Sequence, residues 1–285
     1  MTTLSAEPGS LTFNVQFAHP DKILSIAASP TAVEDHIAPL FHGVGGADVA
    51  AIRELFAASV TRSATELIAD PTFADELARL PFKAGDVIVA FGDSLTDDLQ
   101  SWAKLLSEAL RQLHGTNAPV VIDAGRSGDT TTHLLERLPR VLALRPDWVI
   151  MLVGTNDGKA FAYDTRRSLV SPTETGANAA SLDAALRRSG ARMLWALPPL
   201  ADEQVAGDCA LWKTEGLVWS NEHLSATREA IKSAVQVDVD VEMVFRTAGA
   251  AEHLLRDGLH PNASGQILLL RSICDALVSH SAEAA

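Results

Sequence analysis

Apolar residues along this chain follow two rhythms. From position 86 onward, short runs of consecutive apolar residues alternate with longer stretches whose apolar positions recur every three or four residues. The runs VIVAF (87–91), VVID (120–123), WVIMLV (148–153), RMLWAL (192–197) and VQVDVDV (235–241) predict five β-strands. Between them, Trp102, Leu105, Leu106, Ala109, Leu110 and Leu113 form one helical face. Leu134, Leu138, Val141 and Leu142 form a second, closed by Pro146, and Leu182, Ala185 and Leu186 a third, stopped by Gly190. The last helix follows Asn262 and carries Ile267, Leu270, Ile273 and Leu277. Apolar strands separated by amphipathic helices predict an α/β fold, a mainly parallel sheet with helices on both faces. Such sheets bind ligands beyond the carboxyl ends of their strands.

The first 85 residues read differently. Leu11, Phe13, Val15 and Phe17 alternate with Thr12, Asn14 and Gln16, which predicts a half-buried strand. AHPD then turns it back onto KILSIAAS as a hairpin. Helices follow, one carrying Val49, Ile52, Leu55, Phe56 and Val60. The next is announced by Asp70 as cap and Pro71 at its first position, and is ended by Pro81. Residues 1–85 are therefore expected to form a small α+β extension, hairpin plus helices, packed on a main domain of residues 86–285. A lid or a dimerisation element is the functional alternative for the extension.

Composition narrows the partners. A chain of 285 residues that is 47% hydrophobic can build a full core. Its net charge of −13 argues against nucleic acid, polyanions or an anionic membrane as the main partner. Cys209 and Cys274 lie far apart with no CxxC, so neither a structural zinc nor a disulfide framework is expected. MTTLSAEPGS lacks a basic start followed by an apolar stretch, and WVIMLV is too short to cross a bilayer. A cytoplasmic setting without integral membrane association is the expectation. Oligomeric state is left open.

Four polar segments sit where such a sheet gathers its loops. GDSL places Ser94 where the first strand gives way to a helix, whose unpaired N–H groups suit a negative oxygen. In AGRSGDT (124–130), Gly128 offers a backbone N–H that no side chain blocks. GTND (154–157) adds Asn156, a neutral amide donor. DGLHP (257–261) places Asp257 three residues before His260, close enough to hold its Nδ1–H and leave Nε2 to accept a proton.

These four motifs, in this order over roughly 86–280, resemble the SGNH hydrolases, also called the GDSL esterase/lipase family. The resemblance implies a three-layer α/β/α flavodoxin-like fold around a five-stranded parallel sheet. It implies Ser94 as nucleophile, His260 as base and Asp257 orienting that base. The oxyanion donors would be the Ser94 and Gly128 N–H groups and Asn156. One departure is Asp123, where family members often carry Asn at the start of the second motif. The expected substrate is a small-molecule acyl ester or thioester, handled without metal or organic cofactor. Loops 159–167 and 209–219 are the candidates for specificity, with Trp212 and Trp219 for an acyl pocket or the core. Lys159, Arg166 and Arg167 stand there for an anionic substrate group or plain exposed charge.

The residues admit three other readings. An ordinary α/β-hydrolase expects G-x-S-x-G, which neither GDSLT nor GRSGD satisfies, although Ser127 stands as a rival nucleophile. Metal-assisted phosphoester hydrolysis would draw on Asp93, Asp97, Asp98, Asp257 and His260. No Gly-rich phosphate cradle with Lys accompanies them. The third is a non-catalytic binding module on the same fold.

Overall fold

A computed structural model describes residues 6–23, 37–43 and 45–283. Its strands are β1 (Val87–Gly92), β2 (Val120–Asp123), β3 (Trp148–Leu152), β4 (Lys159–Phe161), β5 (Arg192–Leu197), β6 (Leu217–Trp219) and β7 (Val239–Asp240). β2-β1-β3-β5-β7 form one parallel sheet in that order, so the five expected strands and their parallel arrangement are observed. The first six helices are α1 (Leu11–Phe17), α2 (Pro20–Ile23), α3 (Ala38–His42), α4 (Gly46–Ala69), α5 (Pro71–Ala78) and α6 (Ser94–Asp97). Then come α7 (Trp102–His114), α8 (Thr131–Ala143), α9 (Pro172–Arg188) and α10 (Glu203–Asp208). The last four are α11 (Ala210–Glu215), α12 (Asn221–Ala234), α13 (Val241–Ala248) and α14 (Ala263–Glu283).

The unbroken apolar strands are explained by burial on both sides. Ile88, Ala90, Trp148 and Ile150 meet Leu106 and Leu110 of α7 and Leu270 and Ile273 of α14 on one face. Val89, Phe91, Val149 and Met151 meet Leu134 of α8, Leu182 of α9 and Ile231 of α12 on the other. Each such fully buried aliphatic or aromatic side chain stabilises the fold by roughly 1.5–3 kcal/mol. Val60, Ala64 and Leu67 of α4 and Phe73 and Leu77 of α5 belong to the first of these cores. α4 and α5 are thus built into the same core as α7 and α14.

Four local expectations need correction. Residues 11–17 form a helix and not a strand. A seven-residue alternation also places positions 13 and 17, and 11 and 15, one helical turn apart, and both faces of α1 are covered by other elements. Ser10 was the missed signal, its Oγ accepting the Phe13 N–H at 3.2 Å as an N-cap. Of the second hairpin strand (22–29), Lys22 and Ile23 end α2 and the remainder lies outside the described residues. Leu55, expected on the buried face of α4, is 55% exposed, whereas Val49, Phe56 and Val60 are buried. The fifth strand shrinks to Val239–Asp240. The Asp238 carboxylate takes the Trp195 N–H at 2.8 Å, a place a strand carbonyl would fill, and Val241 already opens α13. Finally, β4 and β6 pair antiparallel, with Lys159 opposite Trp219, so the two proposed specificity loops are one structure.

Candidate active site

β1, β2 and β3 end on the same edge, and the first three motifs follow them there. β1 runs to Gly92, and Asp93 then caps α6 by accepting the Leu95 N–H at 3.1 Å. Ser94 is the first residue of α6, where helix N–H groups lack intrahelical partners. The fourth motif arrives from the far end of the chain as a tight turn. The Leu255 N–H bonds the His260 carbonyl at 2.7 Å, and Gly258 takes φ +73°. A Cβ on Gly258 would stand 2.5 Å from the Ala206 nitrogen, so no side chain fits that turn. Asp257 Oδ1 accepts the Leu259 and His260 N–H groups, at 2.9 and 3.0 Å. Its Oδ2 accepts His260 Nδ1–H at 2.6 Å. On the other side of the ring, His260 Nε2 lies 2.7 Å from Ser94 Oγ. Ser94, His260 and Asp257 are all buried.

Gly128 and Asn156 line the same cavity as Ser94 and His260. At Gly128 φ is +86° and a Cβ would meet nothing within 4 Å, so glycine is needed there for its backbone conformation, not for space. Asn156 donates through Nδ2 to the Asp129 carbonyl at 3.0 Å, and its Oδ1 accepts from Lys159 Nζ at 3.4 Å. Asp157, the last residue of the GTND motif, anchors this loop. It accepts the Thr131 N–H from α8 and the Thr175 hydroxyl from α9, both at 3.0 Å.

The acids proposed as metal ligands have other partners. Asp97 Oδ1 is bonded by His19 at 2.7 Å and Lys22 at 2.6 Å, both from the extension. Its Oδ2 accepts the Ser127 N–H at 2.8 Å and the Ser127 hydroxyl at 2.9 Å. Ser127, the rival nucleophile of the sequence, therefore donates to a carboxylate, whereas it is Ser94 that lies against the imidazole. Burial alone would raise the Asp97 pKa, but His19 and Lys22 outweigh it and hold the carboxyl well below the usual range. Asp123, the departure from the family's asparagine, accepts from Lys22 at 2.8 Å and pairs with Lys104 at 3.1 Å. Asp98 accepts from Gln16 at 2.9 Å and from Gln266 at 3.3 Å. Among the described residues, no group of three or more His, Cys, Asp or Glu side chains is gathered as a metal ion would require.

Burial pushes Asp93 up to about 7 and Asp98 up to about 6. Burial opposes a charged His260, yet Asp257, followed by Asp98 and Asp93, more than compensates and raises its pKa above 6.5.

The cavity over this line of residues measures about 290 Å³. Trp212 and Trp219 both line it, with ring centroids 5.6 Å apart, and Lys159 reaches its edge. Arg166 and Arg167 are exposed instead, and Arg166 pairs with Asp164. The roof was not foreseen. Phe13 and Phe17 of α1 also line the cavity, and the Phe17 ring lies 4.3 Å from the His260 ring, centroid to centroid. Only the Ser10 cap could have turned the reading of that segment from strand to helix.

The parallel sheet brings serine, imidazole and carboxylate into one hydrogen-bonded line at its carboxyl edge, an arrangement found in serine hydrolases on several folds. The chain belongs to the GDSL-like Lipase/Acylhydrolase family, whose model matches residues 90–267. An arylesterase of Vibrio mimicus is 40% identical over 82 residues, which span 27% of this chain and 40% of that protein. Among solved structures, an alpha/beta hydrolase enzyme from the metagenome of Lake Arreo, Spain, superposes with a TM-score of 0.54. It is 21% identical, over 69% of this chain and 96% of that one. TesA is 24% identical over 67% of this chain and 98% of its own, with a TM-score of 0.51. An acetylxylan esterase from Geobacillus stearothermophilus is 18% identical over 69% and 96%, with a TM-score of 0.50. These structures share the fold. Among the described residues, no helix is long and apolar enough to cross a membrane.

Proposed function

We propose that this protein hydrolyses carboxylic acyl esters, and thioesters by the same route, through an acyl-enzyme on Ser94. The observation that carries the reading is the line Ser94 Oγ–His260 Nε2–Asp257, with contacts of 2.7 and 2.6 Å. Ser94 Oγ attacks the carbonyl carbon while its proton passes to Nε2. The carbonyl oxygen, now negative, meets the N–H groups of Ser94 and Gly128 and the second N–H of Asn156. Collapse of the tetrahedral species expels the alkoxide or thiolate, which takes the proton from Nε2. Water then repeats the cycle on the acyl-enzyme, releasing acid and free serine. Arylesterase and acetylxylan esterase relatives support an ester as substrate. Residues 86–285 are read as the hydrolase unit and 1–85 as its extension. A fluorophosphonate should label Ser94 stoichiometrically, seen as a mass shift on its peptide, and should abolish p-nitrophenyl acetate hydrolysis. An unlabelled Ser94 in an active sample overturns the mechanism.

Only neutral imidazole can accept the serine proton, so activity should rise with pH through the raised pKa of His260, above about 6.5. Asp98→Asn removes one of the charges that favour the imidazolium, so the rising limb of kcat/KM should move to lower pH. A limb that stays in place would show that Asp98 does not act on the titrating group.

Asn156→Ala should lower kcat by about 10²–10³ with little change in KM, because its amide meets the oxygen only as charge develops. Asn156→Asp should be worse, placing a carboxylate against an anion. Asn156 is buried and bonded to the Asp129 carbonyl, so thermal melts must accompany the kinetics. A folded variant with wild-type kcat would remove Asn156 from the oxyanion site.

A further inference from the structure

The extension reaches the reacting groups directly. The sequence LTFNVQF, wound as a helix, puts Phe13 and Phe17 one turn apart on one face, with ring centroids separated by 4.9 Å. That face meets His260, 4.3 Å from the Phe17 ring and 6.1 Å from the Phe13 ring. Val15, fully buried, packs instead against Ala38 and Val49 inside the extension. Beyond α1 the same chain is tied to the turn after the nucleophile. Gln16 donates to Asp98, and His19 and Lys22 hold Asp97. The Leu99 N–H adds a bond to the Gln16 carbonyl at 3.4 Å. Buried charged and amide contacts of this kind fix a segment firmly, because undocking strands a buried carboxylate.

Trp212, Leu217, Trp219 and Leu259 line the same cavity as the α1 rings. The cavity, of about 290 Å³, lies at the lower edge of the range of about 300–1,000 Å³ for ligand pockets. Its lining beyond the reacting groups is mostly apolar.

We propose that α1 is a fixed wall of the substrate pocket and that Phe17 is a specificity-determining residue limiting the enzyme to compact, short-chain acyl esters. The proposal rests on the acyl-enzyme reading of Ser94, and it gives the extension a place in substrate choice. A ring packed on the base leaves no room for a longer chain on that side, while the polar ties keep the helix from yielding.

The test compares kcat/KM for p-nitrophenyl acetate and p-nitrophenyl hexanoate in the full-length chain. Each methylene accommodated or excluded by an apolar pocket changes selectivity by about 10–200-fold. Phe17→Ala should therefore raise the hexanoate-to-acetate ratio at least about tenfold, and Phe17→Trp should lower it. Phe17→Leu trims the ring while keeping apolar packing, and it is read in the same way if the alanine variant fails to fold. A ratio unchanged in folded Phe17→Leu and Phe17→Trp overturns the wall. Ser94→Ala separates the two readings. If it abolishes both activities while the ratios stay flat, the acyl-enzyme survives and the wall fails. If wild type hydrolyses neither ester, both readings fall.

Discussion

Ser94→Ala and His260→Ala are each expected to lower turnover by up to about 10⁶-fold, and the double variant should lose little more. Ser94 Oγ and His260 Nε2 stand 2.7 Å apart, so the proton leaves one as it reaches the other. Removing either abolishes the same step, and the second removal then has nothing left to take away. What activity persists would come from the polarising donors around Gly128 and Asn156 and from substrate binding. Single-turnover and steady-state rates on one ester, measured beside melting curves, decide the matter. Losses that multiply would mean that serine and imidazole serve different steps.

Asp257→Asn should lower kcat by about 10⁴ while leaving the fold intact. The size follows from how the carboxylate is held. Its Oδ1 already accepts two backbone N–H groups, from Leu259 and His260. An asparagine must keep its oxygen there, which turns its NH₂ toward His260 Nδ1. The ring is then forced to accept at Nδ1 and carry its proton on Nε2, facing a serine that also has a proton to give. Asp257→Ala loses the charge and the orientation without imposing that tautomer. The NMR signal of the ring N–H protons in the Asn variant would report it directly. An Asn variant within tenfold of wild-type kcat would take Asp257 out of the mechanism.

The sheet was legible because its strands are buried on both faces and so need no polar alternation; Ile88 to Phe91 and Val149 to Leu152 carry none. The four motifs were legible because each follows a strand or precedes a helix where sequence and position agree. α1 was not. In seven residues a period of two and a one-turn (i, i+4) helical pairing select the same positions, and only partners distant in sequence decide between them. Those partners are Phe17 with His260 on one side and Val15 with Val49 on the other. Asp97 was opaque for a similar reason. In the sequence it is an acid near a helix start, a place where acids simply complement the dipole. Its ties to His19, Lys22 and Ser127 exist only after folding joins three separate stretches. Lys159 and Trp219 were noticed singly, but their pairing across β4 and β6 depends on a register that neither loop encodes alone.

The packing of the Phe17 ring against His260 also bears on the order in which this molecule is made. Nearly the whole chain lies between these two rings, so their meeting is among the latest events in synthesis. A ribosome-bound chain that has emerged only through the five strands already displays Ser94 but has no imidazole beside it. Contacts between such distant positions carry the greatest loop-closure cost and form slowly. On the mechanism proposed above, the site is completed in one late step, when the loop bearing His260 docks beneath a helix that left the ribosome long before. Until then a growing chain would carry Ser94 without the base that the proposed mechanism requires.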